Sequence, residues 1–329
     1  MSFNVLNAVL SSVAGNAATQ VHYFLRGYLY SNFLDPEIDV VLITGGCSGL
    51  GEALVHRLRA KKIPVVVLDV AEPAEAIEGV RYFKVDISAR DEVVEVARVI
   101  KEEIGEVTVL VNNAAITHGK TLLDLSFEEI EKTIDVNLIS HYYTIKLFLP
   151  GMLKLQRGYI VTVSSVLGFV GPAKLGAYAA SKGGLLCLHD TLTYEVGPSA
   201  NSSAGIRTLL LATGQLSTTL FHGVRTPSRV YAPVLSPDIV ADRLMLALDR
   251  GEQGKVTLPT YARFMPLIRM LPRRMSRIVR YWSGIDTGMN SYLSDDADLA
   301  GVAVARDGPE PVAPAAPELV VSTADAGSA

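Results

Sequence analysis

Asp39-Val-Val-Leu-Ile-Thr44 runs directly into Thr44-Gly-Gly-Cys-Ser-Gly-Leu-Gly51. The first stretch is short, apolar and rich in β-branched residues, as a buried strand requires. From Glu52 to Lys62 the pattern turns helical, with Ala53, Leu54 and Leu58 at helical spacing. Strand, glycine turn and helix in that order build a phosphate-binding element. The glycines admit a pyrophosphate close to the backbone, and the helix start offers unpaired N–H groups and positive potential. The next apolar run, Pro64-Val-Val-Val-Leu-Asp69, ends in a carboxylate 18 residues after Gly51. An acid at that spacing meets the adenosine ribose hydroxyls and repels a 2′-phosphate. No Lys or Arg lies between Gly45 and Gly51 to attract one. NAD(H) is therefore expected in preference to NADP(H); the plainer reading of Asp69 is a turn residue at a strand end.

Outward from this element, strands and helices alternate. Strands are expected near 40–44, 64–69, 82–86, 107–112, 158–164, 206–211 and 254–258. Helices are expected over 50–61, 89–104, 126–155, 176–196 and about 237–250, with only a stub of helix between Asp69 and Arg81. Alternation of this kind predicts an α/β fold: a Rossmann-type doubly wound sheet of about seven parallel strands, covered on both faces. Residues 213–236 hold many Ser, Thr and Pro and no clear strand.

Tyr178-Ala-Ala-Ser-Lys182 places a phenol and an amine four residues apart, on one face of a helix. A phenol titrates near pH 10 and is a poor base at neutrality. An adjacent cation favours phenolate, so the pair reads as a general acid/base for a hydroxyl or carbonyl. Ser165 follows the apolar strand Tyr159-Ile-Val-Thr-Val163 and is expected at a C-terminal strand edge, where ligands bind in open parallel sheets. Its hydroxyl can donate to a carbonyl or accept from an alcohol. Ser164 is its rival in Val163-Ser-Ser-Val166.

With these residues in place, the chain resembles the short-chain dehydrogenase/reductase family over about residues 38–260. The family's glycine motif matches Thr44, Gly45, Gly49 and Gly51, and its acid after the third strand matches Asp86 in Lys84-Val-Asp-Ile87. Its Asn-Asn-Ala-Gly motif matches Asn112-Asn-Ala-Ala115, with Ala115 in place of the usual glycine. Asn137, Ser165, Tyr178 and Lys182 match its catalytic set, with Ser165 lying 13 residues before Tyr178. Its Pro-Gly motif stands here as Thr213-Gly214, and Thr218 matches its carboxamide-binding threonine. The resemblance implies cofactor contacts from Thr44, Gly45, Ser48, Gly49, Leu50, Gly51, Asp69, Asp86, Ile87, Asn113, Ala114, Tyr178, Lys182, Gly214 and Thr218. It implies that Tyr178 removes or returns the alcohol proton, and that Lys182 acidifies Tyr178 and holds the nicotinamide ribose. It also implies that Asn137 fixes a water linking Lys182 to solvent, that residues 213–236 form a mobile lid over the substrate, and that the protein is a homo-oligomer. The plainer reading of Asn137 is a helix-kink or capping amide.

Composition bounds the rest. The chain has 329 residues, 49% of them hydrophobic, and a formal net charge of −4. A sizeable core is easy to build, and a general nucleic-acid binder is not expected. Cys47 and Cys187 are far apart and lack metal-ligand spacing, which fits a reducing compartment. No His/Cys cluster points to a metal.

The expected organisation is an apolar N-terminal extension over 1–36, a catalytic domain over 37–258, a basic-apolar extension over 259–300 and a disordered tail over 301–329. Residues 1–25 hold no Asp, Glu, Lys or Arg. Without a basic leader they do not read as a secretory signal; a packed helix and a membrane-contacting one stay open. Residues 253–285 carry no acid but hold Lys255 and six arginines among bulky apolar residues, a composition that suits an anionic bilayer surface. Prolines 259, 266 and 272 break the stretch into short helical pieces. The alternative is a cover over the substrate pocket with a solvated basic rim.

Leu258-Pro-Thr-Tyr261 with Leu271-Pro-Arg-Arg274 resembles the tail of the membrane-associated retinol and hydroxysteroid dehydrogenase branch. That resemblance implies a lipophilic alcohol or carbonyl as substrate. It also implies a cytosol-facing location on endoplasmic reticulum or lipid droplets, or otherwise in the cytoplasm. The expected function is an NAD(H)-dependent alcohol/carbonyl oxidoreductase. The alternatives are an NADPH-dependent biosynthetic reductase of a secondary-metabolite intermediate, and a nucleotide-binding scaffold or redox sensor without turnover.

Overall fold

The computed structural model describes residues 33–196, 205–221, 223, 224, 226 and 232–292. Its centre is a seven-stranded sheet in the order β3-β2-β1-β4-β5-β6-β7. The strands are β1 (Val41–Thr44), β2 (Val65–Asp69), β3 (Val80–Lys84), β4 (Val109–Asn112), β5 (Gly158–Ser165), β6 (Ile206–Thr213) and β7 (Gly254–Leu258). Every pairing is parallel. The strand order reverses at β1, which has β2 on one side and β4 on the other. The chain leaves β1 and β4 in opposite directions there, opening a crevice beyond their carboxyl ends.

Both faces of the sheet are buried, so its central strands read as continuous apolar runs rather than alternating ones. Val41 and Ile43 pack against Leu54, Val55 and Leu58 of α1 (Gly49–Ala60) and Val240 and Leu244 of α6 (Pro237–Arg250). Leu42 and Leu110 face the other way. They meet Val93 and Ala97 of α2 (Arg90–Glu103), Ile145 and Phe148 of α4 (Ser140–Leu155) and Leu192 of α5 (Gly176–Val196). Helix starts follow their sequence signals. Ser126 and Glu129 form a capping box at α3 (Phe127–Ile134), and Ser236 caps α6 ahead of Pro237.

Four expectations change. The single helix expected over 126–155 is split into α3 and α4 by a π-helical turn at Asp135–Ile139. Asn137 lies in that turn and is tied sideways to the backbone of Ile116, a packing constraint that helical periodicity does not carry. No helix forms between Asp69 and Arg81, where bends and turns lead straight into β3. The expected edge of the catalytic domain at residue 37 falls inside packed structure, because Leu34 is buried in the core and Phe33 donates to the Asp249 carbonyl at 2.6 Å. Beyond residue 258, a 3₁₀ turn (Thr260–Phe264) and α7 (Met265–Ile268) bury Ala262 and Met265 against Val166, Phe169 and Ala212, so the start of this extension is a cover. In the expected lid, Leu216 bridges Leu235 and a 3₁₀ turn spans Thr219–Phe221; residues 222, 225 and 227–231 lie outside the described residues. So do the expected apolar stretch over 1–25 and the tail over 301–329.

The buried carboxylate at the entry to β1 locks the sheet base. Asp39 accepts from Arg157 Nε at 2.7 Å and Nη2 at 2.6 Å, from Thr108 Oγ1 at 2.8 Å and from its own turn at Asp35 N. Its side chain is wholly buried while Arg157 keeps contact with water. Arg157→Met is expected to leave this charge uncompensated and destabilise the protein by about 3 kcal/mol, measured as a shift in the urea unfolding midpoint.

Candidate active site

The glycine turn is built as its sequence demands. Gly45 and Gly49 hold left-handed backbone angles, with φ of 68° and 55°. A side chain at Gly51 would overlap the Gly45 carbonyl oxygen. α1 starts with Ser48 extended and making no side-chain cap, which leaves first-turn N–H groups for an anion. Asn113 fastens the turn from the β4 side: its Nδ2 donates to the Thr44 and Gly45 carbonyls at 3.1 and 2.8 Å. Thr44 Oγ1 accepts from the amides of Asn113 and Ala114 at 3.0 and 3.2 Å. Thr44 and Asn113 thus shape the cradle, and the Thr218 methyl group lies over Gly49.

Asp69 ends β2 beside this turn. Its carboxylate accepts from Cys47 N at 2.9 Å and Ala71 N at 3.0 Å, and lone pairs remain for a diol. The same carboxylate and burial push the Cys47 thiol up to about 12, which makes it a protonated, unreactive thiol. Asp86 is differently committed. It pairs with Lys132 and accepts from Ser88 N and Oγ. Burial acts against its ionisation, but these partners outweigh it and hold the carboxyl below its usual range. The cradle, the uncapped helix start and the strand-end acid fit a dinucleotide.

The residues expected to handle the proton meet at the carboxyl end of β5. Ser165 is its last residue, in register with Thr213 on β6. Its Oγ donates to the Thr213 carbonyl at 3.4 Å and accepts from Leu167 N at 3.1 Å, and the hydroxyl lies near enough to the Tyr178 phenol to favour its ionised form. Ser164 points away into the protein, donating to the Lys182 carbonyl at 3.1 Å. Tyr178 and Lys182 sit on the inward face of α5, both buried. Asn137 is fully buried; its Oδ1 accepts from Ile116 N at 2.8 Å, and its Nδ2 donates to Ile116 O and Ser181 Oγ. All four residues are thus gathered at one strand edge. Gly214 lies against Tyr261 and Pro259 and donates to the Leu258 carbonyl at 2.7 Å.

The expected acidification of Tyr178 by Lys182 is corrected by this geometry. The ammonium lies 5.8 Å from the Tyr178 ring centroid and donates to the Val163 carbonyl at 3.0 Å. Helical stacking therefore places it under the ring rather than on the oxygen. Burial pushes the phenol up to about 12, with the Ser165 hydroxyl pulling the other way, and burial drops the amine to about 7. Desolvation, which favours the neutral form of each group, is the largest cause of both shifts.

Several wall residues carry no local sequence signal. Leu175, Phe221, Met289 and Tyr292 pack around Tyr178, and the Phe221 ring stands edge-on to it at 5.5 Å. Tyr292 donates to the Thr117 carbonyl at 3.1 Å. Upstream of this wall, α8 (Arg273–Ser283) is latched by Arg280, which pairs with Asp286 and donates to Gly171 O. The Arg280–Gly171 and Tyr292–Thr117 bonds link residues more than a hundred positions apart, so periodicity does not find them.

The family pattern for short chain dehydrogenase matches residues 39–228. Human estradiol 17-beta-dehydrogenase 11 is 34% identical over 252 residues, covering 74% of this chain and 82% of that protein. Human short-chain dehydrogenase/reductase 3 is 30% identical over 263 residues, covering 77% and 85%. An uncharacterized oxidoreductase of Saccharomyces cerevisiae is 32% identical over 251 residues, covering 74% and 82%. Among solved structures, a short-chain dehydrogenase from Streptomyces avermitilis shares the fold, with a TM-score of 0.61 at 22% identity, covering 78% of this chain and 99% of that one. A 4-hydroxyisoleucine dehydrogenase complexed with NADH does so with a TM-score of 0.59 at 21% identity, covering 66% and 95%.

The chain belongs to the short-chain dehydrogenase/reductase family, and its relatives include hydroxysteroid dehydrogenases. It is an oxidoreductase of CH–OH donors that uses NAD(P)(H).

The buried amine has a stability consequence. Its folded value is about 7 against an ordinary 10.5. Between these values the unfolded chain binds more protons, so stability rises with pH across that window and is lowest below it. Lys182→Met is expected to abolish turnover yet raise stability at pH 7 and flatten its rise toward pH 10, measured by urea unfolding at both pH values.

Proposed function

We propose that this protein is an NAD(H)-dependent dehydrogenase that interconverts a lipophilic alcohol and its carbonyl at a membrane surface. The observation that carries this reading is the apolar wall around Tyr178, formed by Leu175, Leu220, Phe221 and Met289. A polar substrate would lose its water there without replacement, whereas a hydrocarbon skeleton gains from the same burial. Estradiol 17-beta-dehydrogenase 11, a relative, is named for a steroid substrate.

The nicotinamide cofactor, when bound, accepts the hydride from the alcohol carbon or returns it to the carbonyl. Thr44, Gly45, Ser48, Gly49, Leu50 and Gly51 would hold its phosphates, and Asp69 its adenosine ribose. Asp86, Ile87, Asn113 and Ala114 would line the adenine side, and Gly214 and Thr218 the carboxamide side. Ser165 orients the substrate oxygen against Tyr178. In reduction Tyr178 gives its proton to the forming alkoxide, and in oxidation it takes the alcohol proton. With the phenol at about 12, Tyr178 stands protonated at neutral pH and ready to act as the acid. Lys182 would position the nicotinamide ribose, and Asn137 holds the helix that faces it. The preference for NAD(H) is supported by the Asp69 carboxylate beside the Cys47 amide, which disfavours a 2′-phosphate.

The membrane reading is supported by α8. None of its residues is buried; Met275, Ile278 and Trp282 form an exposed apolar stripe, and Tyr281 and Trp282 are each over 80% exposed. Arg273, Arg274 and Arg277 line the same short helix. Basic and bulky apolar side chains together suit an anionic headgroup layer. Among the described residues no helix is long and apolar enough to cross a membrane; the proposed contact runs through residues 259–285. A homo-oligomer on the endoplasmic reticulum or a lipid droplet, facing the cytosol, completes the reading.

NADH formation from retinol, steroid and long-chain alcohols tests the chemistry. The unmodified protein is expected to prefer NAD over NADP in kcat/KM, and Tyr178→Phe to lose turnover by at least about 10²-fold with NADH affinity retained in a fluorescence titration. Near-normal turnover in that variant would remove Tyr178 from its role, and equal use of both cofactors would remove Asp69 from its own. Co-sedimentation with phosphatidylserine vesicles is expected to be strong, and to be lost in the double variant Arg273→Glu/Arg277→Glu and in 1 M salt. Equal pelleting of that variant would discard α8 as the contact.

A further inference from the structure

Behind the catalytic lysine, three buried nitrogens have no protein partner among the described residues: Asn112 Nδ2, His141 Nδ1 and His189 Nε2. Each belongs to a side chain that is 3% exposed or less. Their neighbours place all three side chains in the layer between the sheet and the helices α4 and α5. Asn112 and Thr162 are paired residues of β4 and β5, so their side chains leave the same face of the sheet. Asn112 Oδ1 accepts from Thr144 Oγ1 at 2.8 Å, and Thr144 lies one turn beyond His141 on α4. Thr162 Oγ1 is 3.0 Å from His189 Nδ1 on α5. The free edges of Asn112, His141 and His189 are thereby enclosed between the sheet and these two helices.

Each histidine also extends a catalytic face. His141 follows Asn137 by four residues and His189 follows Lys182 by seven, spacings that repeat on one side of a helix. The charged and titratable groups bearing on them are Lys182 and His189 for His141, and Asp190 and Lys255 for His189. Burial lowers both imidazoles, His189 to about 4, so both are neutral near pH 7. A neutral imidazole offers one donor and one acceptor, whereas the Asn112 amide nitrogen offers donors alone. A single water is able to accept from the amide and serve both rings, and about three hydrogen bonds is the usual complement of a buried water.

We infer that Asn112, His141 and His189 bind one buried water molecule, and that this water bridges the helices carrying Asn137 and Lys182. His141 and His189 are then positioning residues: they fix the spacing of two helices whose tips must act together. The binding site stands on the three nitrogens alone, and only its catalytic effect rests on the dehydrogenase reading above.

Two measurements decide it. A crystal structure of the unmodified protein with NADH, at a resolution that shows ordered water, is expected to contain a peak within hydrogen-bond reach of all three nitrogens. A direct bond between His141 Nδ1 and His189 Nε2, or a dry space between them, would overturn the site. In kinetics, His141→Leu and His189→Leu are each expected to lower kcat by roughly tenfold, as small misplacements do, with KM and NADH affinity held within about twofold. The double variant should be no slower than either single one, because one bridge is lost once, and His141→Asn should restore most of the rate. Unchanged kcat in folded variants, or additive losses, would overturn the positioning role. If the leucine variants fail to fold, the water peak still decides the site. If the unmodified protein oxidises no alcohol, the dehydrogenase reading fails while the peak keeps its meaning.

Discussion

A lysine amine held out of water, with one backbone carbonyl as its hydrogen-bond partner, is the constraint on which the site depends. Lys182 reaches from α5 to Val163 at the end of β5, so it can be there only if helix and strand lie face to face. The sheet supplies that arrangement. Parallel order brings the carboxyl ends of β1, β4 and β5 to one edge, and burial of both faces presses α4 and α5 against it. The penalty for the buried amine falls on the whole fold, and the large apolar layers on either side of the sheet offset it.

The same burial acts on opposite chemistries at once. It favours a neutral amine at Lys182 and a neutral phenol at Tyr178, so the protein by itself holds a protonated acid beside a base near its midpoint. Elsewhere in the cradle, polar groups that look like ligand contacts do construction work. Thr44 and Asn113 close the glycine turn, and Asp86 is shared with Lys132 and Ser88. The apolar wall over Tyr178 comes from segments remote in sequence, and the helix that precedes part of it, α8, turns its bulky residues outward. A packed cover over this edge thus runs on into an exposed basic and apolar helix.

Much of this was legible from residues alone. The strand–glycine–helix order at Asp39–Gly51 specified the first βα unit, because few backbones accommodate a β-branched run, positive φ angles and a helix start in succession. Tyr178 and Lys182 were legible as a pair because four residues make one helical turn. The seven strands fell close to their expected positions; the central ones are short apolar runs, and the edge strands β3 and β7 are the more polar. The 13-residue spacing to Tyr178 favoured Ser165 over Ser164, and strand register supplies the physical reason: adjacent residues of a strand point to opposite sides, and Ser164 turns to the Lys182 carbonyl.

What the sequence by itself determined is therefore the local grammar: the fold class, the glycine cradle, the strand-end acid and the helical Tyr178–Lys182 pair. These follow from short-range sterics and from periodicity, which each segment carries within itself. Tertiary structure alone decided the state of those residues. The π turn at Asn137, the burial that separates the Tyr178 and Lys182 pKa values, the wall from Phe221 to Tyr292 and the enclosed histidines all arise where distant segments meet. Desolvation and packing depend on what covers a group, and no stretch of chain contains its own cover.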